Sequence, residues 1–442
     1  MRALLLLTIT TLILQALSLE ESVDYALKHN NTLKQSDVAT QTAKTLRDNK
    51  QAQNFGQVNL LASYDHYNLP RTLAPLTPAS LVSVPGAAAA IATTQDLFTT
   101  GVTYNVTLFN GFAQQSAYEM SDLHYQNASI LNKLGREELI YNVRILYVSL
   151  LSLQEQLSAQ ENYTLTQSKL LLKIQEEVRL GTKAKIDLLK SQNDVEISRL
   201  KSTTIETNIA IIRATLDKLM GGKEVGETDT LTIQFASQSL ATEKSVITSL
   251  QRYKSTEINV KANAKKQKNA ASSYYPKVDF NAYYGQNYGP NDASTYFENN
   301  LVLDKGEWNS EAIWQVGVHL KWNIFDFGAR AAVNEEAKLS YMKAQLERDD
   351  VQLELRKNIT TAESNIKLSR AQYKSASIQY ALLQETEKIE QVRYDNSALT
   401  LTDFLETSAK KELSHAQVID AKYHYLKAKY YLDYLLEKGE KK

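Results

Sequence analysis

Cysteine is absent from all 442 residues, which excludes disulfide staples, thiol chemistry and a lipid-modified N-terminal cysteine. Proline is scarce, six in all, and Pro70, Pro75, Pro78 and Pro85 crowd into residues 69–98, which reads as a long surface loop. Neither sign of charge is in excess, since 50 basic residues meet 50 acidic ones; nothing in the charge draws the chain to nucleic acid, and none is expected as a partner. Beyond the first residues no apolar run reaches the ~18 residues of a membrane helix. Any membrane span must therefore be a barrel. The histidines His29, His66, His124, His319, His415 and His424 are scattered without ligand spacing, and there is no nucleophile elbow, phosphate loop or CxxC. The expectation is a chain with no metal, no cofactor and no catalytic activity.

At the start, MRALLLLTITTLILQALS (residues 1–18) pairs Arg2 with an apolar and threonine run and ends on Ala16 and Ser18. This is the pattern of a secretory signal peptide cut after Ser18, and it predicts export.

The strongest pattern is IWQVGVHLKWNIFDFGA, Ile313 to Ala329. Trp314, Val316, Val318, Leu320, Trp322 and Ile324 alternate with Gln315, Gly317, His319, Lys321 and Asn323. Such a period of two makes a strand with one oily and one wet face. At ~3.4 Å per residue Trp314 and Trp322 stand about 27 Å apart along the strand. A tilt of ~40° reduces this to roughly 20 Å, near the height of a barrel's apolar band, so both read as membrane-interface aromatics. Taken alone, the strand reads first as part of a soluble sheet with one buried face, and the rest of the chain changes that reading.

In chain order the sequence predicts helix from Leu19 to Phe55 with a break near His29 to Asn31, then strands at about 58–68 and 100–109. A helical hairpin follows over 113–220, turning at RLGT, Arg179 to Thr182; Ala113 to Arg179 is free of proline and has Gly135 as its one glycine. Residues 222–242 read as a linker. A helical stretch whose lysines (KANAKKQK, 261–268) form a solvated face leads to strands at about 277–285 and 313–325, separated by a loop at 286–311. A second hairpin, 329–436, turns at DNSA, Asp395 to Ala398. Phe109-Asn110 pairs with Phe325-Asp326, Glu119 with Glu335 and Asp187 with Asp403, all at one constant spacing along the chain. The chain thus reads as two structural repeats, 19–221 and 243–438, while the helices ahead of the first strands match poorly. Helices of this length point to coiled-coil packing. Four strands with oily outer faces cannot close a membrane barrel, whose practical minimum is about eight. Two to four copies would supply 8 to 16.

This order of elements, the strand ends LFNGF and IFDFG, and the turns RLGTKAKIDLL and YDNSALTLTDFL resemble the TolC family of outer-membrane efflux and secretion channels. Gly56 stands where the second half has Pro276, and Ser397 where the family usually has glycine and the first half has Gly181. The resemblance implies an α+β membrane protein: a homotrimer with a twelve-stranded barrel in outer-membrane lipid, continuous with a long α-helical coiled-coil barrel in the periplasm. It implies a duct of a tripartite efflux or type I secretion system, carrying small molecules or polypeptides from an inner-membrane transporter through a periplasmic adaptor. An exported coiled-coil scaffold or adaptor with a soluble β-domain is the alternative.

The alternating positions Thr103, Asn105, Thr107, Gln315, His319, Lys321 and Asn323 are the expected barrel lumen. By resemblance the tips Leu180, Gly181, Thr182, Asn396, Ser397 and Ala398 dock the adaptor, and Glu385, Glu387 and Glu390 are pore or gate candidates that threefold symmetry would repeat as cation-favouring rings.

Overall fold

Helix α1 (Leu19–His29) opens on Ser18, whose hydroxyl accepts from the Glu21 amide while the Glu21 carboxylate accepts from the Ser18 amide, a reciprocal capping box. The structure, a computed structural model, describes residues 18–75, 91–223, 228, 231, 244–297 and 300–440. The signal peptide expected at 1–18 lies outside these apart from Ser18, as does most of the 222–242 linker. Asn30 separates α1 from α2 (Asn31–Ala52), and a 3₁₀ turn, Gln53–Phe55, leads into strand β1 (Gln57–Thr72). Strand β2 (Thr93–Phe109) precedes the hairpin of α3 (Ala113–Arg179) and α4 (Lys185–Leu219). The second half runs α5 (Lys244–Ser249), α6 (Gln251–Ala271), a 3₁₀ turn Ser272–Tyr274, β3 (Lys277–Pro290), short β4 (Thr295–Phe297) and β5 (Asn300–Leu303), β6 (Trp308–Lys321), α7 (Ala329–Asp395) and α8 (Leu401–Leu435).

The duplication holds to the residue in the hairpins. Helices α3 and α7 begin at 113 and 329, and α4 and α8 at 185 and 401, the same spacing in both cases. The leading helices, though they match poorly in sequence, repeat in position, with α2 and α6 starting at 31 and 251 and β1 and β3 at 57 and 277. The motif ends LFNGF and IFDFG also acquire a physical reason. The Asn110 side chain accepts from the Gln114 amide at 3.3 Å and Asp326 from the Arg330 amide at 3.0 Å. Asn and Asp are strong helix caps, and here they start the two long helices.

Three further boundaries differ from the sequence expectation. Strands β1 and β2 extend into the expected loop at 69–98, of which 76–90 lie outside the described residues. The segment 286–311 holds β4, β5 and the ends of β3 and β6. Strand β6 ends at Lys321, so Trp322 and Ile324 continue the alternation on irregular backbone.

All four long strands form one antiparallel sheet in the order β1-β2-β3-β6, so the two repeats meet at the β2–β3 pairing. Contacts accordingly divide the described residues across the repeats: one compact unit takes those within Met1–Thr40, Ala128–Thr256 and Glu347–Lys442, the other those within Gln41–Asn127 and Glu257–Leu346. The helical unit has repeat-related cores. Leu139, Val143 and Leu216 are buried in one, and their repeat equivalents Leu355, Ile359 and Leu432 in the other.

Candidate functional site: the sheet faces and the hairpin tips

Register turns the alternation into two surfaces. On one face Leu60, Val102, Tyr284 and Trp314 form a row across all four strands, beside a row of Val58, Tyr104, Ala282 and Val316. These side chains are open to the surroundings: Leu60 is 81% exposed, Trp314 72% and Leu320 67%. A contiguous apolar surface of this size marks an interaction with lipid or protein. At the loop end it gains aromatics that the sequence reading missed. Phe98 lies 4.8 Å from Tyr64, 5.5 Å from Tyr288 and 5.2 Å from Trp308 between ring centroids. Phe98 and Trp308 fall in segments that the sequence reads as loops, and only the pairing register reveals the cluster. At the other end Trp322 donates its indole N–H to the Tyr274 carbonyl at 3.2 Å.

The opposite face is polar. Thr103 shares a row with Asn59, Tyr283 and Gln315, and Asn105 shares one with Gln57, Asn281 and Gly317. Asn281 donates to Asn105 at 2.5 Å, and Thr107 donates to Asp279 at 2.7 Å in a row that also holds His319. Lys321 opposes Lys277. Asn323 lies beyond the strand, where its carbonyl accepts from Arg330 at 2.6 Å. The structure therefore brings Thr103 and Gln315 together and Thr107 and His319 together, and separates Asn323 from the face.

The two hairpin turns are equivalent. The Gly181 amide donates to Val178 O and the Thr182 amide to Glu177 O; Ser397 and Ala398 repeat this to Tyr394 and Arg393, a Schellman ending in both. Gly181 (φ 76°) and Ser397 (φ 59°) are both left-handed. All six expected tip residues are exposed or half-exposed. Thr400 caps α8 through the Asp403 amide at 3.2 Å, whereas Ala184 leaves α4 without a side-chain cap.

Beneath the tips Ile174, Tyr394, Leu401, Phe404 and Leu405 form a buried cluster. Tyr394 stacks on Phe404 at 5.4 Å, with the Lys173 and Lys183 ammoniums 5.3 and 4.9 Å from its ring centroid. Burial, with the negative charges of Glu177, Asp187 and Asp395, pushes its hydroxyl up to about 12. Lys173 meets Asp395 at 2.7 Å and holds that carboxyl below its usual range. No periodic signal picks Tyr394 out, since it is one of 25 tyrosines.

The three gate candidates diverge. Glu385 pairs with Lys388 at 2.6 Å on the exposed surface. Glu387 turns inward, accepting from Ser408 at 2.8 Å and Lys411 at 2.7 Å. Glu390 has a buried Oε2 with no hydrogen-bond partner among the described residues. At ~100° per residue Glu387 and Glu390 lie about 60° apart on one helix face, while Glu385 points to another side.

Two predictions arise here. A left-handed non-glycine residue costs about 1 kcal/mol, so Ser397→Gly is expected to raise stability and Gly181→Ala to lower it, each by about 1 kcal/mol or less. The glycine has open space where a Cβ would sit, so backbone strain alone sets the effect. Thermal unfolding in detergent checks both. The second concerns half-buried Glu412, whose carboxyl is raised by burial, with Glu387 adding to the shift and Lys411 opposing it. A carboxyl raised in the folded state supports folding while protonated and loses that support as pH rises through the folded value. Glu412→Gln is therefore expected to raise the melting temperature at about pH 7 and to give no gain below about pH 4, where the unfolded group is protonated too.

The sequence matches the family described as outer membrane efflux protein over residues 23–222 and 252–436. Three crystal structures illustrate the similarity of fold. CusC, studied for conformational changes accompanying folding and transmembrane channel formation, aligns with TM-score 0.79 and 14% identity over 95% of this chain and 91% of that one. The Campylobacter jejuni CmeC outer membrane channel gives 0.78 and 16% over 95% and 86%. The outer membrane protein VceC of Vibrio cholerae gives 0.76 and 13% over 95% and 96%. No curated protein matches the sequence significantly.

Proposed function

Since the chain belongs to the outer membrane efflux protein family and is an outer-membrane efflux channel, we propose that three copies close their four-stranded sheets into one twelve-stranded barrel, the lipid-embedded part of a passive duct. Family membership removes the alternative of a soluble exported scaffold. The observation that carries the proposal is the combination of an exposed apolar face with outer edges on β1 and β6 that have no strand partner among the described residues. In lipid each unpaired backbone group costs several kcal/mol, so the edges must find partners, and further copies of the chain supply strands of matching pattern.

In this reading the polar rows line the lumen, since hydrocarbon cannot accept them. Thr103, Asn105, Thr107, Gln315, His319 and Lys321 are wall residues, with Asn323 at the wall's lower margin. Trp314 and Trp322 sit at the two margins of the apolar band, and the Tyr64, Phe98, Tyr288 and Trp308 cluster lies above it. The exposed tips Leu180, Gly181, Thr182, Asn396, Ser397 and Ala398 dock a periplasmic adaptor, which connects the duct to an inner-membrane transporter. Of the glutamates, Glu390 is the better placed for a gate, because Glu387 is already engaged by Lys411 and Ser408 and Glu385 by Lys388.

Membrane extraction tests the proposal. The protein should leave the outer membrane only with detergent, run as a trimer and conduct ions in a planar bilayer. A monomer released by buffer and salt overturns it.

A further inference from the structure

Charge on the polar face of the sheet is graded along the strands. At the loop end Asp65 lies opposite Leu97 and Glu311 opposite Asn287. At the helix end Lys277 and Lys321 stand directly opposite one another, the last pair of the β3–β6 register. Like charges directly opposed across an antiparallel pair destabilise it, so sheet stability does not explain two lysines here. The nearest acid compensates only in part. Asp279 lies 3.1 Å from the Lys277 ammonium, but it also accepts from Thr107 at 2.7 Å, while Lys321 makes no ion pair or side-chain hydrogen bond among the described residues. Both lysines are exposed, and neither is drawn into the packing of the fold.

We propose that Lys277 and Lys321 form a basic collar at the helix-side mouth of the barrel, a selectivity site for anionic groups such as carboxylates, sulfonates and phosphates on the transported molecule. This rests on the reading of the polar face as the lumen wall. Threefold repetition sets six lysines against three copies of Asp279. A ring of cationic side chains in a confined pore concentrates anions and repels cations. Exposed lysines on four-carbon stems can follow a passing anion without holding it tightly, as conduction requires.

The test is the zero-current potential of the trimer in a planar bilayer under a potassium chloride gradient, with tripolyphosphate as a blocking probe. K277Q/K321Q should shift the potential toward cation preference and weaken tripolyphosphate block. D279N, which unmasks Lys277, should shift both the opposite way. The opposed signs separate a charge effect from a general distortion of the barrel, which would move both variants alike. Unchanged potentials and block in both variants overturn the collar and leave the channel standing. A wild-type protein that forms no conducting pore overturns the channel reading itself.

Discussion

Replacing Arg330 with alanine is expected to lower the stability of the sheet-bearing unit by about 3 kcal/mol, seen as a fall in the thermal unfolding midpoint in detergent. Arg330 sits in the first turn of α7, where the chain leaves β6. Its Nε bonds Asp326 at 2.9 Å, its two terminal nitrogens reach the carbonyls of Asn323 at 2.6 Å and Ile324 at 3.0 Å, and a further contact reaches Ser273 O at 3.3 Å. The guanidinium also lies 5.3 Å from the Tyr274 ring centroid. The segment 322–326 has no ladder of its own, so these carbonyls depend on the side chain. An orphaned carbonyl costs about 1 kcal/mol or more, and a lost charged hydrogen bond about 1.5 to 3. The ion pair is only 16% and 17% exposed, so water restores part of the loss at best. A lysine, with one compact ammonium in place of a planar fork, should recover less than half. Gln114 occupies the equivalent place in the first repeat, and Gln114→Ala should stay within about 0.5 kcal/mol. Equal effects at 114 and 330 would mean that Arg330 does not staple the junction.

The same segment explains where sequence reading succeeds and where it stops. Alternation carries on through Trp322 and Ile324, so a reading of side-chain type extends the strand to 325. The backbone leaves the sheet at Lys321 because Arg330 and the Asp326 cap claim its polar groups, and neither partnership is periodic. At the other end Pro70 suggests a loop, yet β1 is an edge strand, where a missing N–H is tolerated, and the strand runs on to Thr72. The long hairpins are legible because absence of proline and glycine is a one-dimensional property. The tip cluster under Tyr394 and the inward turn of Glu387 toward Lys411 are not, because the partners lie far off along the chain, as Lys173 does from Asp395 and Glu387 from Ser408. The leading helices fail to match by sequence for a further reason: the two repeats solve the same joint with different side chains.

Glu437 is half of that second solution, and Glu437→Ala is expected to cost about 2 kcal/mol while Glu437→Gly costs about 1. Helix α8 ends in a Schellman turn with Glu437 left-handed at φ 53°, where the first repeat has Gly221 at 74°. All four left-handed non-glycine residues among those described have a left-handed glycine at the equivalent position of the other repeat: Phe112 answers to Gly328, Phe327 to Gly111, Ser397 to Gly181 and Glu437 to Gly221. By conformation alone glycine is the better residue at 437, by about 1 kcal/mol. The carboxylate supplies what opposes this: Oε2 accepts from the Gln251 amide at 2.6 Å and Oε1 from the Arg252 amide at 3.0 Å, capping α6. Arg252 returns the interaction, donating to the carbonyls of Tyr434 at 3.0 Å and Leu435 at 3.3 Å at the end of α8. A negative group thus meets a helix start and a positive group a helix end, each in the favourable sense of the helix dipole. In the first repeat buried Asn30 does both tasks with one amide, accepting from the Leu33 amide at 2.9 Å and donating to Leu219 O at 2.9 Å. Asn30→Ala should therefore cost about 2 kcal/mol, as much as Glu437→Ala. Denaturant midpoints of the natural chain and these three variants decide the matter. If Glu437→Gly proves more stable than the natural chain, the cap is not what holds glutamate in that conformation.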